Sequence, residues 1–300
     1  MIDQEEETGM KFGMLFANTG TMGEPAVAAD LARTAEGLGF ESLWASQHVV
    51  VPADYASPCP YTQNGRMPGG DDVSIPDPLV WLGYISAATN TIRLATGTMI
   101  APLLNPVVLA KQLATLDHLS GGRVEAGIGL GWLKEEFDAV GVPFEDRGAR
   151  ADEYISAMRA LWTQPVASHH GKYVNFDNCI LRPQPAQKTV PIHIGGNSVA
   201  SARRAGSYGD GFFPMTREAD ALKSLLTEMR NAAVAQDRDL DDIEVTVSTT
   251  LIGKNALAEL DILRGLGVSR VLVPAALFWG DPAAAMRRYQ ADVMVPFNGR

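Results

Sequence analysis

Residues 91–131, TIRLATGTMIAPLLNPVVLAKQLATLDHLSGGRVEAGIGLG, decide the fold. Two compact apolar runs, 91–100 and 123–131, have the length and composition of strands buried on both faces. The segment between them reads as a helix, with Pro106 pre-set for the first turn and Gly121 as its stop. Two apolar, unalternating strands joined through a helix read as a parallel pair, since parallel strands need a crossover connection and a helix usually supplies it.

The same alternation extends in both directions. Strands are expected at 11–17, 41–46, 191–196, 210–215, 243–251 and 269–275. Helices are expected from Pro25 to Gly39, across 147–162, after Gly196, and over 218–236, 254–266 and 281–293. About eight strand–helix pairs in one chain of 300 residues fit a closed (β/α)8 TIM barrel better than an open, doubly wound sheet. An open dinucleotide-binding sheet would place G-x-G-x-x-G after its first strand. This chain has ANTGTMG there instead. The acidic leader 1–9, with Asp3, Glu5, Glu6 and Glu7, is expected to be disordered, which leaves 10–300 as one barrel domain.

Two segments are too long to be plain connections. A proline-rich loop, 49–78, follows strand 2 and is expected to shape a site at the barrel mouth, with Tyr55 and Tyr61 forming an aromatic wall. An excursion at 164–188, before strand 5, reads as a short hairpin.

Composition narrows the function. With 46% apolar and 20% charged residues the chain can build a large core, and its net charge of −10 opposes binding to nucleic acid or an anionic membrane. No membrane span or signal region is visible, so a cytoplasmic location is expected. Cys59 and Cys179 lack the spacing of a disulfide framework or a zinc site, and no metal is expected.

Two glycine clusters stand at strand ends, where barrel sites gather. Gly127, Gly129 and Gly131 do not match the dinucleotide spacing. They either let a flat ring approach the backbone or relieve crowding where the strand leaves the barrel. Gly195 and Gly196, followed by Asn197 or Ser198 as a helix cap, make an anion seat suited to phosphate. Arg203 and Arg204, one to two turns on, would assist an anion or else lie in solvent.

ESLWASQHVV (41–50), the run from Ile92 to Trp162 and VPIHIGGNSVASARRAGSYGDGFF (190–213) together resemble the luciferase-like monooxygenase family, and more narrowly its actinobacterial coenzyme F420-dependent oxidoreductases. The likeness covers residues 10–215 and weakens beyond. It implies a barrel with a flavin or deazaflavin ring across its C-terminal mouth. It also implies a bulge at Thr96, Gly97 and Thr98 with a cis Gly97–Thr98 bond, and His48 beside the reactive ring as the proton carrier. Trp44 would pack inward or touch the ring edge, and Gly129, Gly131 and Trp132 would pass close to the cofactor. Gly195, Gly196, Asn197 and Ser198 would hold its phosphate. Sugar-phosphate dehydrogenases of the family carry a glutamate where this chain has Trp132, which argues against that substrate class. Glu135 and Glu136 nearby are expected to be solvated.

The function so implied is hydride transfer between F420 and a small organic substrate, without oxygen. The alternatives are an FMN-dependent two-component monooxygenase served by a separate flavin reductase, and a non-catalytic flavin-binding barrel. The resemblance further implies a homodimer. The anionic F420 tail would need local cations, with Arg203, Arg204, Lys111 and Arg66 as candidates.

Overall fold

The computed structural model describes residues 9–216, 218–250 and 255–299; of the acidic leader, residues 1–8 lie outside the described residues. β1 (Lys11–Leu15), α1 (Pro25–Gly37) and β2 (Ser42–Ala45) open the chain. After the long loop come α2 (Pro78–Ser86), β3 (Arg93–Thr96), β4 (Met99–Ile100), α3 (Pro106–Ser120) and β5 (Val124–Gly129). Two helices, α4 (Lys134–Val140) and α5 (Arg147–Thr163), precede the expected excursion, an antiparallel hairpin of β6 (Ala167–His170) and β7 (Asn175–Cys179). The second half runs β8 (Ile192–Gly195), α6 (Val199–Tyr208), β9 (Gly211–Phe213), α7 (Ala219–Val234), β10 (Glu244–Ser248), α8 (Ala256–Gly265), β11 (Arg270–Pro274) and α9 (Pro282–Tyr289).

These strands close into the parallel barrel that the sequence predicts. β11 pairs with β1, β1 with β2, β2 with β3, and β3 with β5; β5 then pairs with β8, β8 with β9, β9 with β10 and β10 with β11. β3 and β4 form one stave interrupted by a bulge. Ala95 stands opposite Glu125 and Met99 opposite Ile128, so residues 96, 97 and 98 on one strand face only 126 and 127 on the other. The Gly97–Thr98 peptide inside the bulge is cis, as the resemblance implies.

Local chemistry explains the helix ends. Asn105 caps α3 by accepting from the amides of Val107 and Val108 at 3.0 and 3.2 Å, Pro106 takes the first turn, and Gly121 ends the helix with a left-handed φ of 71°. Helix α2, not foreseen after the proline-rich stretch, starts the same way, with Asp77 capping and Pro78 leading.

The barrel interior is charged at its N-terminal end. Arg270, 1% exposed, donates to both oxygens of Glu41 at 2.9 Å, to Glu125 at 2.9 and 3.1 Å, and pairs with Glu244 at 2.8 Å. Arg93 bonds Glu125, Lys11 bonds Glu244 at 2.8 Å, and His193 Nε2 lies 3.2 Å from Glu125. Three carboxylates thus meet three cations. Burial alone would lower the Arg270 pKa and raise that of Glu125, and the facing opposite charges reverse both shifts. Donor atoms of Glu125, His193 and Glu244 lie within 4.8 Å of one another, a spacing a metal could use, and the Arg270 guanidinium already bonds both carboxylates.

Among the described residues no helix is long and apolar enough to cross a membrane.

Candidate active site

Trp44 divides this charged floor from the mouth. Its ring has no exposed surface and stands over the Arg270 guanidinium at 5.4 Å, edge-on to His193 at 5.4 Å and tilted against Phe213 at 5.3 Å, while Nε1 donates to Ser42 at 2.9 Å. A residue sealed in this way supports the site from below. The structure therefore removes Trp44 from the expected cofactor contacts and keeps the inward-packing alternative.

The glycines are explained by what their missing side chains would strike. A Cβ on Gly127 would meet the Thr96 carbonyl oxygen at 1.9 Å and the Trp44 ring at 3.2 Å, and one on Gly97 would meet Leu15 at 2.8 Å. A Cβ on Gly129 or Gly195 would run into Thr98, at 2.4 and 2.6 Å, and one on Gly131 into Ile100 and Phe137. The bulge pushes the Thr98 side chain into the space between β5 and β8, and glycine on both neighbours makes room for it. Of the two readings of the triplet, crowding is what Gly127 and Gly129 relieve, and Gly195, expected in the anion seat, stands against the same Thr98. Gly131 has in addition a φ of +76°, which favours glycine by itself.

The glycine turn and the helix cap expected at Gly196 and Ser198 are both present. Gly196 turns the chain with a φ of +127° and donates to the Phe213 carbonyl at 3.2 Å, and Asn197 Oδ1 accepts from the Met215 amide at 2.6 Å. Ser198 caps α6 in a reciprocal pair with Ser201, each side-chain oxygen accepting the other's amide at 3.0 Å. That box leaves the amides of Val199 and Ala200 without a protein acceptor among the described residues, at the positive end of a ten-residue helix.

The cations expected to serve an anionic tail are already engaged. Arg203 pairs with Glu228 at 2.9 Å, Arg204 with Asp152, and Arg66 with Asp71, while Lys111 donates to the Arg182 carbonyl. Arg147, which the sequence reading passed over, forms no ion pair among the described residues. It starts α5, donates to the carbonyls of Gly131 and Phe144 at 3.3 Å and lies over the Phe144 ring at 3.8 Å. Burial lowers its pKa. An arginine in a helix's first turn opposes the helix dipole, and that misplacement was the available signal.

The expectation of solvated acids at Glu135 and Glu136 is overturned. Glu136 is fully buried; its Oε1 accepts the Val49 amide at 2.5 Å, and its Oε2 lies 2.9 Å from His48 Nδ1. Glu135 accepts the amides of Ala56 and Ser57 at 2.8 and 3.1 Å. Hydrogen bonds from the Ser57 side chain and the Ala56 amide lower its pKa to about 2. Both carboxylates were visible as a doublet, but nothing in the sequence marks their partners 79 and 88 positions away.

These bonds fasten the long loop to α4. Asn18 holds its start and end through Ser46 and Pro76, at 2.8 to 2.9 Å. Tyr55 anchors the middle: buried, it donates to Asp71 at 2.9 Å, accepts the Met67 amide at 2.8 Å and stands edge-on to Trp132 at 5.7 Å. Trp132 in turn meets His48 edge-on at 6.0 Å. Tyr61 is 50% exposed and makes no ring contact among the described residues, so the expected wall has Tyr55 alone.

The sequence profile of the luciferase-like monooxygenase family matches residues 10–262. The chain belongs to the luciferase-like monooxygenase family. Over 186 residues it is 38% identical to an uncharacterised protein of Mycobacterium tuberculosis (strain ATCC 25618 / H37Rv), covering 62% of this chain and 65% of that protein. It is 31% identical over 226 residues to the F420-dependent glucose-6-phosphate dehydrogenase of Nakamurella multipartita, covering 73% of this chain and 61% of the relative. With the FMNH2-dependent dimethylsulfone monooxygenase of Pseudomonas putida it shares 34% over 153 residues, 50% of this chain and 42% of that one. The chain thus spans less than two thirds of the length of these relatives. Among solved structures, an F420-dependent secondary alcohol dehydrogenase bound to an F420–acetone adduct shares the fold, with a TM-score of 0.78 at 18% identity over 97% of this chain and 99% of that one. Relatives of this luciferase-like barrel are thus named for F420 and for FMN alike.

Proposed function

We propose that this luciferase-like barrel is an oxidoreductase that moves a hydride between coenzyme F420 and a small organic substrate. The observation that carries the reading is the pairing, on one barrel mouth, of an anion seat with a histidine. The unsatisfied amides of Val199 and Ala200 lie at the end of β8, and His48 lies at the end of β2, three staves round the barrel. Phosphate at the first and a redox ring reaching towards the second is the arrangement a bound deazaflavin needs. On this reading Thr98, Gly129, Gly131, Gly195 and Trp132 would border the ring, and Gly196, Asn197 and Ser198 would hold the phosphate.

Bound there, the cofactor would accept or deliver the hydride. The chain's own part is orientation and one proton. His48, 14% exposed with no protein partner for Nε2 among the described residues, takes a substrate hydroxyl proton as the hydride leaves and returns it in the reverse direction. Trp132 and the Tyr55 face of the loop keep this edge apolar, which suits a carbonyl or alcohol with few charges.

The relative from Pseudomonas putida favours a second reading, FMN-dependent monooxygenation with a separate reductase. Oxygen uptake separates the two. On the F420 reading, reduced FMN with this protein consumes no oxygen above the free-flavin rate, while reduced F420 is oxidised anaerobically in the presence of a suitable carbonyl compound. Protein-dependent oxygen uptake together with an oxygenated product would establish the monooxygenase instead. The implied homodimer has an apolar face available in Val80 and Tyr84 of α2 and Val108 of α3, all exposed, and equilibrium sedimentation tests it.

A further inference from the structure

With Glu136 ionised, the hydrogen between His48 and Glu136 lies on the imidazole. An ionised carboxylate accepts hydrogen bonds and cannot donate them. Glu136 Oε1 is committed to the Val49 amide at 2.5 Å, and Oε2 faces His48 Nδ1 at 2.9 Å. The contact is therefore made when Nδ1 carries the hydrogen, and in the neutral ring this leaves a lone pair on Nε2. The carboxylate has no exposed side-chain surface, so water does not compete for either oxygen.

We infer that Glu136 is a positioning residue that fixes His48 in its Nδ1–H tautomer, presents Nε2 as a base at the barrel mouth, and compensates the imidazolium formed when Nε2 takes a proton. The same carboxylate holds the first amide of the long loop, so the base is correctly set only while the loop is seated on α4. Glu135 fastens the loop at Ala56 and Ser57 without touching His48, and it separates the two roles. The inference rests on the reading of His48 as the proton carrier.

Glu136→Gln has a specific consequence. The amide has one oxygen, and the Val49 N–H requires it. The NH2 then points at His48 Nδ1, which must accept, and the ring hydrogen moves to Nε2. The shape of the site is kept while the base becomes a donor. Orienting carboxylates in other enzymes show the same sensitivity to amide substitution.

The test is long-range 1H–15N correlation of histidine side chains in cofactor-free protein, at a pH where the rings are neutral, with His48 assigned from its loss in His48→Gln. The expected result is Nδ1–H in the wild type, Nε2–H in Glu136→Gln, and the wild-type tautomer retained in Glu135→Gln. A wild type in the Nε2–H form overturns the inference outright, and needs no variant to fold. So does a Glu136→Gln protein that keeps the wild-type tautomer, or a Glu135→Gln protein that inverts it. In turnover, Glu136→Gln is expected to lose about 10²- to 10⁴-fold in kcat, the usual range for a lost general base, with F420 affinity unchanged. Tautomer inversion in a protein that binds no F420 would retain the positioning role and remove the redox reading. F420 turnover by a wild type in the Nε2–H form would do the reverse.

Discussion

At the N-terminal end of the barrel each charged side chain meets its opposite: Arg270 bridges Glu41, Glu125 and Glu244, and Arg93 and Lys11 complete the balance. At the C-terminal end, polar groups are left over. The Val199 and Ala200 amides, His48 Nε2 and the Arg147 guanidinium have hydrogen-bonding or charge capacity that the protein does not use up. Trp44 lies between the two regions. The difference is one of charge balance and place in the fold, since His193 Nδ1 and Thr246 Oγ1 inside the barrel also lack a hydrogen-bond partner among the described residues, while sites in barrels of this kind gather at the C-terminal face. It also sorts the expected effects of mutation.

Arg270→Leu should have the largest effect on stability. It removes the shared cation from the buried Glu125 and the half-buried Glu41 and Glu244, leaving Arg93 and Lys11 alone to balance them, and breaking a buried ionic cluster costs about 3 to 5 kcal/mol, read as a lower urea midpoint. Cofactor affinity of the fraction that remains folded should not change. A loss below about 1 kcal/mol would mean that the floor tolerates the loss of its cation and that the comparison is wrong.

Gly195→Ala tests the other side. Its Cβ would meet Thr98 Cγ2 at 2.6 Å, and overpacking of this kind costs about 1 to 3 kcal/mol. Here, unlike at Arg270, cofactor affinity should fall together with stability, since Thr98 moves at the mouth. Ser198→Ala is milder: loss of the cap should cost about 1 kcal/mol in stability and weaken phosphate binding, checked by thermal melts with and without inorganic phosphate.

The smallest effect is expected on the exposed rim of the N-terminal end, just before β3. Glu36 accepts the amides of Asn90, Thr91 and Ile92 at 2.6 to 2.9 Å. Burial would raise its pKa, but these bonds outweigh it and lower the value from an ordinary 4.5 to about 2. A carboxylate with a depressed folded pKa stabilises above the unfolded value and loses that contribution as pH falls. Glu36→Gln should therefore lower Tm slightly at pH 7 and reduce the acid sensitivity of Tm between about pH 4.5 and 2. An unaltered slope across that window would show that the bonds contribute nothing.

The barrel was legible because each stave announces itself locally. The runs at 91–100 and 123–131 are apolar over their length, and Pro106 and Gly121 mark the intervening helix without reference to the rest of the chain. The floor was not legible for the opposite reason. Glu125 and Arg270 are 145 positions apart, and each looks like an ordinary charge at the start of a strand until barrel closure brings them together. The mouth lay between these cases. The helix cap at Ser198 is a local signal and was read correctly. The glycine triplet was a local signal with two meanings, and what each missing side chain would strike, Thr96 at Gly127, Thr98 at Gly129, Ile100 and Phe137 at Gly131, belongs to other segments of the chain. Glu136 was misread because its burial depends on the loop that it holds, a fact about two segments that neither shows alone.

What occupies the mouth decides the function, and equilibrium binding of coenzyme F420 and FMN to the purified protein, followed side by side by fluorescence at low salt, measures it most directly. F420 should bind more tightly than FMN, and added phosphate should compete with it. Preference for FMN would contradict the F420 assignment, and binding of neither below about millimolar would contradict the redox reading of the whole site.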